Sequence, residues 1–134
     1  MLYVVSTPIG NLKDFSFRAL DVLKECDYIL CEDTRHSQIL LSHYSIKKPL
    51  KSFHRFNERM RLRAILEDLE NGKNIALISD AGTPAISDPG LQLISECHQK
   101  KIPMTTIPGA CAVIVALLLS GFSSTVFQFL GFVP

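Results

Sequence analysis

The sequence predicts an α/β fold, a five-stranded, mostly parallel sheet with helices on both faces. Three observations predict it. Five short apolar runs rich in Val, Ile, Leu, Tyr and Phe recur along the chain. Segments of helical period separate them, and strand–helix alternation of this kind builds a parallel sheet covered on both sides. The 134 residues are 47% hydrophobic, which suits one domain with an ample core and excludes a disordered chain.

The elements follow in order. The opening run LYVVS lacks a basic leader and reads as a strand, not a signal peptide. Residues 16–26 (SFRALDVLKEC) read as a helix, YILCE as the second strand and 36–44 (HSQILLSHY) as the next helix. LKSFH is the third strand. In 57–71, Leu62, Ile65, Leu66 and Leu69 fall on one helical face, and Gly72 ends the helix. NIALIS is the fourth strand. Asp88 then Pro89 open a helix over 88–100 as N-cap and first helical residue. MTTIP is the fifth strand. Residues 110–120 are almost wholly apolar and predict a helix buried on every side, ended by Gly121. STVFQFLGFVP looks like a sixth strand. The longest apolar stretch, ACAVIVALLL, is too short for a transmembrane helix, so no membrane partner is expected.

Right-handed crossovers bring the carboxyl ends of all parallel strands to one edge, where open α/β sheets bind ligands. The loops expected there are STPIGN, CEDTRHS, HRFNER, SDAGTPAISDPG and PGACA. Small and turn-forming residues dominate three of them, which suits a ligand held by backbone groups. No phosphate-cradling glycine motif is present. Glu32, Asp33, Asp80 and Asp88 would repel a pyrophosphate but tolerate a cationic ligand or accept hydrogen bonds from ribose hydroxyls. S-adenosylmethionine has that chemistry. The four cysteines (Cys26, Cys31, Cys97, Cys111) show no C-x-x-C or metal-ligand spacing; they are expected to be reduced and buried, and no metal site is expected.

The motifs STPIGNL, CEDTR, SFHRFNE, IALISDAGTPAISDPG, IPGACA, SGF and FLGF run nearly the whole chain in order. With them the chain resembles the first domain of tetrapyrrole-methylase-superfamily methyltransferases. It is most similar to the ribosomal RNA small subunit methyltransferase I family, which methylates a cytidine ribose 2′-hydroxyl. The resemblance implies a sheet of order 3-2-4-1-5, S-adenosylmethionine as cofactor, small-subunit ribosomal RNA as partner and a cytoplasmic homodimer. It implies a cofactor domain over 1–125 and a connection over 126–134 toward a second domain outside this chain, without which the fragment is expected to be inactive. It also implies cofactor contacts at Pro8, Ala81, Gly82, Thr83, Ile86, Cys111 and Ala112, with Asp80 as either a contact or a loop cap. The residue chemistry agrees: Gly82 permits backbone approach, Thr83 offers a hydroxyl and Ile86 can cover an adenine.

An alcohol acceptor needs a base, which typically contributes about 10²–10⁴-fold. Glu32, Asp33 and His54 are candidates, with Arg35 as an anchor for phosphate; the competing reading of Glu32, Asp33 and Arg35 is a local salt bridge with helix capping. Residues 47–63 hold seven Lys/Arg against Glu58 alone. Arg59, Arg61 and Arg63 stand early in their helix and the acids late, against the helix dipole. Arg55, Arg59 and Arg63 are therefore candidate RNA contacts, and Phe53 and Phe56 candidate stacking residues, with core packing as the alternative. Two other readings compete with an RNA methyltransferase: a methyltransferase of a small tetrapyrrole or corrinoid, and, for this chain alone, a non-catalytic cofactor-binding or dimerisation module.

Overall fold

The computed structural model describes residues 1–132. Five strands, β1 (Leu2–Val5), β2 (Tyr28–Cys31), β3 (Leu50–Ser52), β4 (Ile75–Leu77) and β5 (Met104–Ile107), form one sheet of order β3-β2-β4-β1-β5. Every pairing is parallel; Leu2 stands opposite both Ile75 and Met104, and Leu30 opposite Leu77. The expected strand order and the five strand positions hold, with β3 and β4 each shorter than their apolar runs.

The helices are α1 (Phe17–Glu25), α2 (Thr34–His43), α3 (Glu58–Glu70), α4 (Leu91–Gln99) and α5 (Ala112–Leu119). The sheet's period of two sorts its residues into two cores. Leu2, Val4, Tyr28, Leu30, Ile75 and Leu77 pack with α3 and α4 through Ile65, Leu66, Leu69 and Leu93. Val5, Ile29, Cys31, Ala76 and Ile78 pack with α1 and α2 through Ala19, Leu23 and Leu41. Phe53, which the basic stretch had suggested for base stacking, is fully buried in the first core, whereas Phe56 is 88% exposed.

Five expectations are corrected. Ser16 caps α1 by accepting from the Ala19 N–H as its pattern suggests, but α2 starts two residues earlier than expected because Asp33 supplies its cap. Asp88 does not cap α4: the chain passes Pro89 and turns through Gly90, at φ 119°, before the helix begins at Leu91. α5 contains no buried residue among those described, because no described element packs over its outer faces. No strand forms over 124–132; the segment is exposed, with Val126, Leu130 and Phe132 all above 80%. Residues 133–134 of the expected strand lie outside the described residues. Cys26, Cys31 and Cys97 are buried free thiols as expected, but Cys111 is only partly buried. Among the described residues, no helix is long and apolar enough to cross a membrane.

Candidate functional site

The carboxyl edge of the sheet is organised by the loop between β4 and α4. Gly82 pairs with Thr7 of the first loop as an isolated antiparallel bridge, Thr7 N–H to Gly82 O at 2.9 Å and Gly82 N–H to Thr7 O at 3.1 Å. The bridge requires φ 82° at Gly82, a conformation that costs any residue with a Cβ. A Cβ there would also stand 3.3 Å from Ile9 Cγ2. Thr83 Oγ1 donates to the Ala110 carbonyl at 3.2 Å and lies 2.9 Å from Ser6 Oγ. Its hydroxyl is thus spent on tying the first, fourth and fifth loops together rather than being offered to a ligand. Beyond it, Ala85 and Ser87 are held at φ 65° and 67°. Non-glycine residues held in this region store strain, which concentrates at functional sites.

This frame encloses a cavity of about 480 Å³. Ala81, Gly82, Thr83, Ile86, Cys111 and Ala112 line it, so six of the eight expected cofactor residues share one surface. Ile86 is 46% exposed and stands at the wall as an apolar cover. Pro8 and Asp80 instead line a neighbouring cavity of about 120 Å³ between the first loop and α2.

The larger cavity also contains Asp88, which the sequence offers as a helix cap and as one of the carboxylates that would tolerate a cationic ligand. Burial pushes its carboxyl above the usual carboxylate range; the Ser79 hydroxyl opposes this, and the Asp80 charge adds to it. Glu32 is raised too, by burial and then by Asp88 and Asp80. Three carboxylates thus converge on the end of β2 and β4, in a place where a cation would relieve them. Asp80 is tied in by the Asp33 N–H, which donates to its Oδ1 at 3.3 Å.

Asp33 and Arg35 are engaged with each other. The Asp33 carboxylate accepts from the Arg35 backbone at 2.8 Å and from its guanidinium at 3.2 and 3.0 Å. The guanidinium beside it holds the Asp33 carboxyl down at about 2. The competing reading of this pair as cap and salt bridge therefore describes its geometry, while Arg35 remains open to solvent on its outer side. His54 lines neither cavity; its Nε2 lies 3.1 Å from Asn57 Nδ2 in a local cluster with Ser52. Of the RNA candidates, Arg55 lies over the Phe56 ring at 5.6 Å, in the exposed turn before α3. Arg59 and Arg63 face a groove between α3 and α4 shared with Glu67, Glu70 and Glu96, and Arg63 donates to Glu67 at 2.9 Å. The structure does not gather the three arginines into one purely basic surface. Among the described residues no cluster of His, Cys, Asp and Glu has the geometry of a metal site.

The model of the tetrapyrrole (corrin/porphyrin) methylases matches residues 1–133. The chain belongs to that family. It is 53% identical over 134 residues to the ribosomal RNA small subunit methyltransferase I of Pasteurella multocida (strain Pm70), covering all of this chain and 48% of that protein. It is 54% identical over 131 residues to the protein of the same name from Mycoplasmopsis pulmonis (strain UAB CTIP), covering 98% of this chain and 59% of that one. The chain thus spans about half the length of the curated relatives it matches. Among solved structures, the uroporphyrin-III-C-methyltransferase of Thermus thermophilus superposes with a TM-score of 0.65 at 22% identity, over 92% of this chain and 53% of that one. Diphthine synthase gives 0.69 at 18% identity, over 91% and 49%. These likenesses confirm the methylase fold.

Proposed function

We propose that this chain forms the S-adenosylmethionine-binding part of a methyltransferase that modifies a cytidine ribose 2′-hydroxyl of small-subunit ribosomal RNA. The observation that carries the proposal is the 480 Å³ cavity between the fourth and fifth loops. Its volume lies in the range of small-molecule sites. Its walls fit the cofactor's chemistry: small residues (Ala81, Gly82, Ala112) leave room, Ile86 and Phe129 offer apolar faces to a purine, and Asp88 offers negative charge to a cation. Bound there, S-adenosylmethionine would supply an activated methyl group on a cationic sulfur.

This chain's residues would then align and exclude water. The Thr7–Gly82 bridge and the Thr83 clamp fix the loops that line the cavity. Glu32, whose carboxyl is raised by burial, would accept a proton from an acceptor hydroxyl. Asp33 would hold Arg35 in a fixed direction, leaving its free N–H groups for an RNA phosphate. Arg55 with Phe56, and then Arg59 and Arg63 along α3, would extend that contact. The name carried by the relatives at 53 and 54% identity supports ribosomal RNA as the substrate. The exposed apolar surface of α5 and the following segment, with Leu118, Leu119 and Phe122 each at least 68% exposed, suits a homodimer.

A tritiated-methyl assay on small ribosomal subunits tests the reading, using the full-length protein that contains this chain. Label on a cytidine ribose, lost in Glu32→Gln by about 10²-fold or more, is the expected result. Label appearing only on a tetrapyrrole substrate would refute it.

A further inference from the structure

Glu58 is the only acid in a stretch, 47–63, that carries Arg55, Arg59, Arg61 and Arg63. A carboxylate so placed would ordinarily pair with a guanidinium on its own helix. Among the described residues it does not: the ion pairs all use other acids. Its Oε1 instead accepts the backbone N–H of Gly90 at 3.2 Å, 32 residues along the chain. Asn57 sets the direction. It is buried, its Oδ1 accepts from the His54 N–H at 2.9 Å, and its Nδ2 donates to the Ser52 carbonyl at 3.2 Å. These bonds lock the turn that leads into Glu58.

Two helix starts share this one carboxylate. Glu58 is the only acid in the first turn of α3, α4 has none in its own, and neither helix has a side-chain cap. The positive end of each helix dipole favours a negative charge there. Gly90 is also the downstream end of the loop that lines the larger cavity. The upstream end is fixed by the Thr7–Gly82 bridge and by the Thr83 hydroxyl. Between these anchors Ala85 and Ser87 hold left-handed backbone, and Ile86, Ser87 and Asp88 face the cavity. Strained backbone persists only where its surroundings over-determine it. Pro89 joins Asp88 to Gly90 with a fixed φ and restricts the residue before it, so a hold on the Gly90 N–H is carried to Asp88.

We propose that Glu58 is a positioning residue for the methyl donor: its carboxylate holds the downstream end of the strained 84–89 segment and so fixes where Ile86 and Asp88 stand in the larger cavity. The inference rests on the reading of that cavity as the S-adenosylmethionine site. Glu58 is not one of the residues lining it and acts through Gly90.

Three variants of the full-length protein separate reach from charge. Glu58→Gln keeps a carbonyl oxygen at the same reach. Glu58→Asp keeps the charge in the first turn of α3 but is one carbon short of Gly90. Glu58→Ala keeps neither. In NMR hydrogen exchange without ligand, the Gly90 amide should exchange about tenfold faster in Glu58→Ala and Glu58→Asp. The Gly82 amide, held by the Thr7 carbonyl, should keep its rate. In calorimetry, S-adenosylmethionine should bind those two variants about fivefold or more weakly, and Glu58→Gln within about twofold of wild type. A Glu58 that only stabilises α3 would give the reverse order, with Glu58→Asp near wild type and Glu58→Gln weakened, and that order would overturn the proposal. So would an unchanged Gly90 rate in Glu58→Ala. Wild-type protein that binds S-adenosylmethionine, with an affinity indifferent to all three variants, would keep the cofactor reading and remove the proposal. Gly90 exchange that quickens as expected in a protein whose wild type binds no S-adenosylmethionine would support the hold on Gly90 and remove the cofactor reading.

Discussion

Asp33 and Asp88 occupy similar places in the sequence, each at the end of a βα loop just ahead of a helix, and the fold uses them in opposite ways. Asp33 is capped into α2, accepts three hydrogen bonds from Arg35, and has its carboxyl held down at about 2. Asp88 caps nothing, faces a cavity, and has its carboxyl pushed up by burial, with the Asp80 charge pushing the same way against Ser79. The loops around them differ in the same sense. Two residues, Glu32 and Asp33, join β2 to α2, whereas β4 reaches α4 through a long loop with left-handed backbone at Gly82, Ala85, Ser87 and Gly90. In the first turn Asp33 is answered within the chain, by Arg35. The second holds strain and an under-compensated charge, the combination that suits the proposed cationic ligand.

The largest test of this contrast is Gly90→Ala. At φ 119° a Cβ is strained, and it would lie 2.6 Å from Leu77 Cδ2 in the core. We predict a loss of about 2–4 kcal/mol in chemical denaturation, from overpacking and backbone strain together. A loss under about 1 kcal/mol would mean that the long loop is softer than its dihedral angles indicate.

Asp33→Ala comes next. Losing the α2 cap should lower Tm by about 3–6 °C at neutral pH and leave cofactor affinity unchanged. The pH dependence carries a sign. Because the folded carboxyl lies below its unfolded value, its contribution is present above the ordinary carboxylate range and is lost as pH falls toward about 2. The gap between variant and wild type should therefore close on acidification. A gap that widens would show that Arg35 does not stabilise the ionised form.

Asp88→Asn should give the smallest change, with the opposite sign. A carboxyl raised in the folded state penalises folding once pH rises past its unfolded value, so wild type loses stability relative to the variant as pH climbs from about 4. Thermal melts between pH 3 and neutrality should show the variant gaining on wild type. Parallel curves would mean that Asp88 is well solvated and that the contrast with Asp33 is false.

Much of this was legible in the sequence. The five strands follow from apolar runs that occupy both faces of a covered sheet, and α3 from Leu62, Ile65, Leu66 and Leu69 on one face. Six cofactor candidates share a cavity because their two loops leave β4 and β5, the strands on either side of β1. What was not legible depended on tertiary position. Asp88-Pro89 has the composition of a helix start, but Gly90 behind it adopts a turn that moves the start two residues on and frees Asp88 for the cavity. The apolar α5 sequence reads as core, yet composition says only that a surface prefers cover, not that a described element supplies it. The 124–132 segment is β-prone in the same way, but no strand of the sheet pairs with it. The Glu58 bond to Gly90 has no sequence signature at all, because only the packing of α3 beside α4 brings the two loops together.

The central claim is that the strained β4–α4 loop and the fifth loop together hold the cofactor. Calorimetric titration of S-adenosylmethionine into Gly82→Val tests it most directly. The substitution forces a β-branched side chain onto φ 82°, 3.3 Å from Ile9 Cγ2 and 3.7 Å from the Ala110 carbonyl, at the cavity wall. We predict that affinity falls about a hundredfold or more in the full-length protein while its circular dichroism stays native. Wild-type affinity in a natively folded Gly82→Val protein would contradict the account.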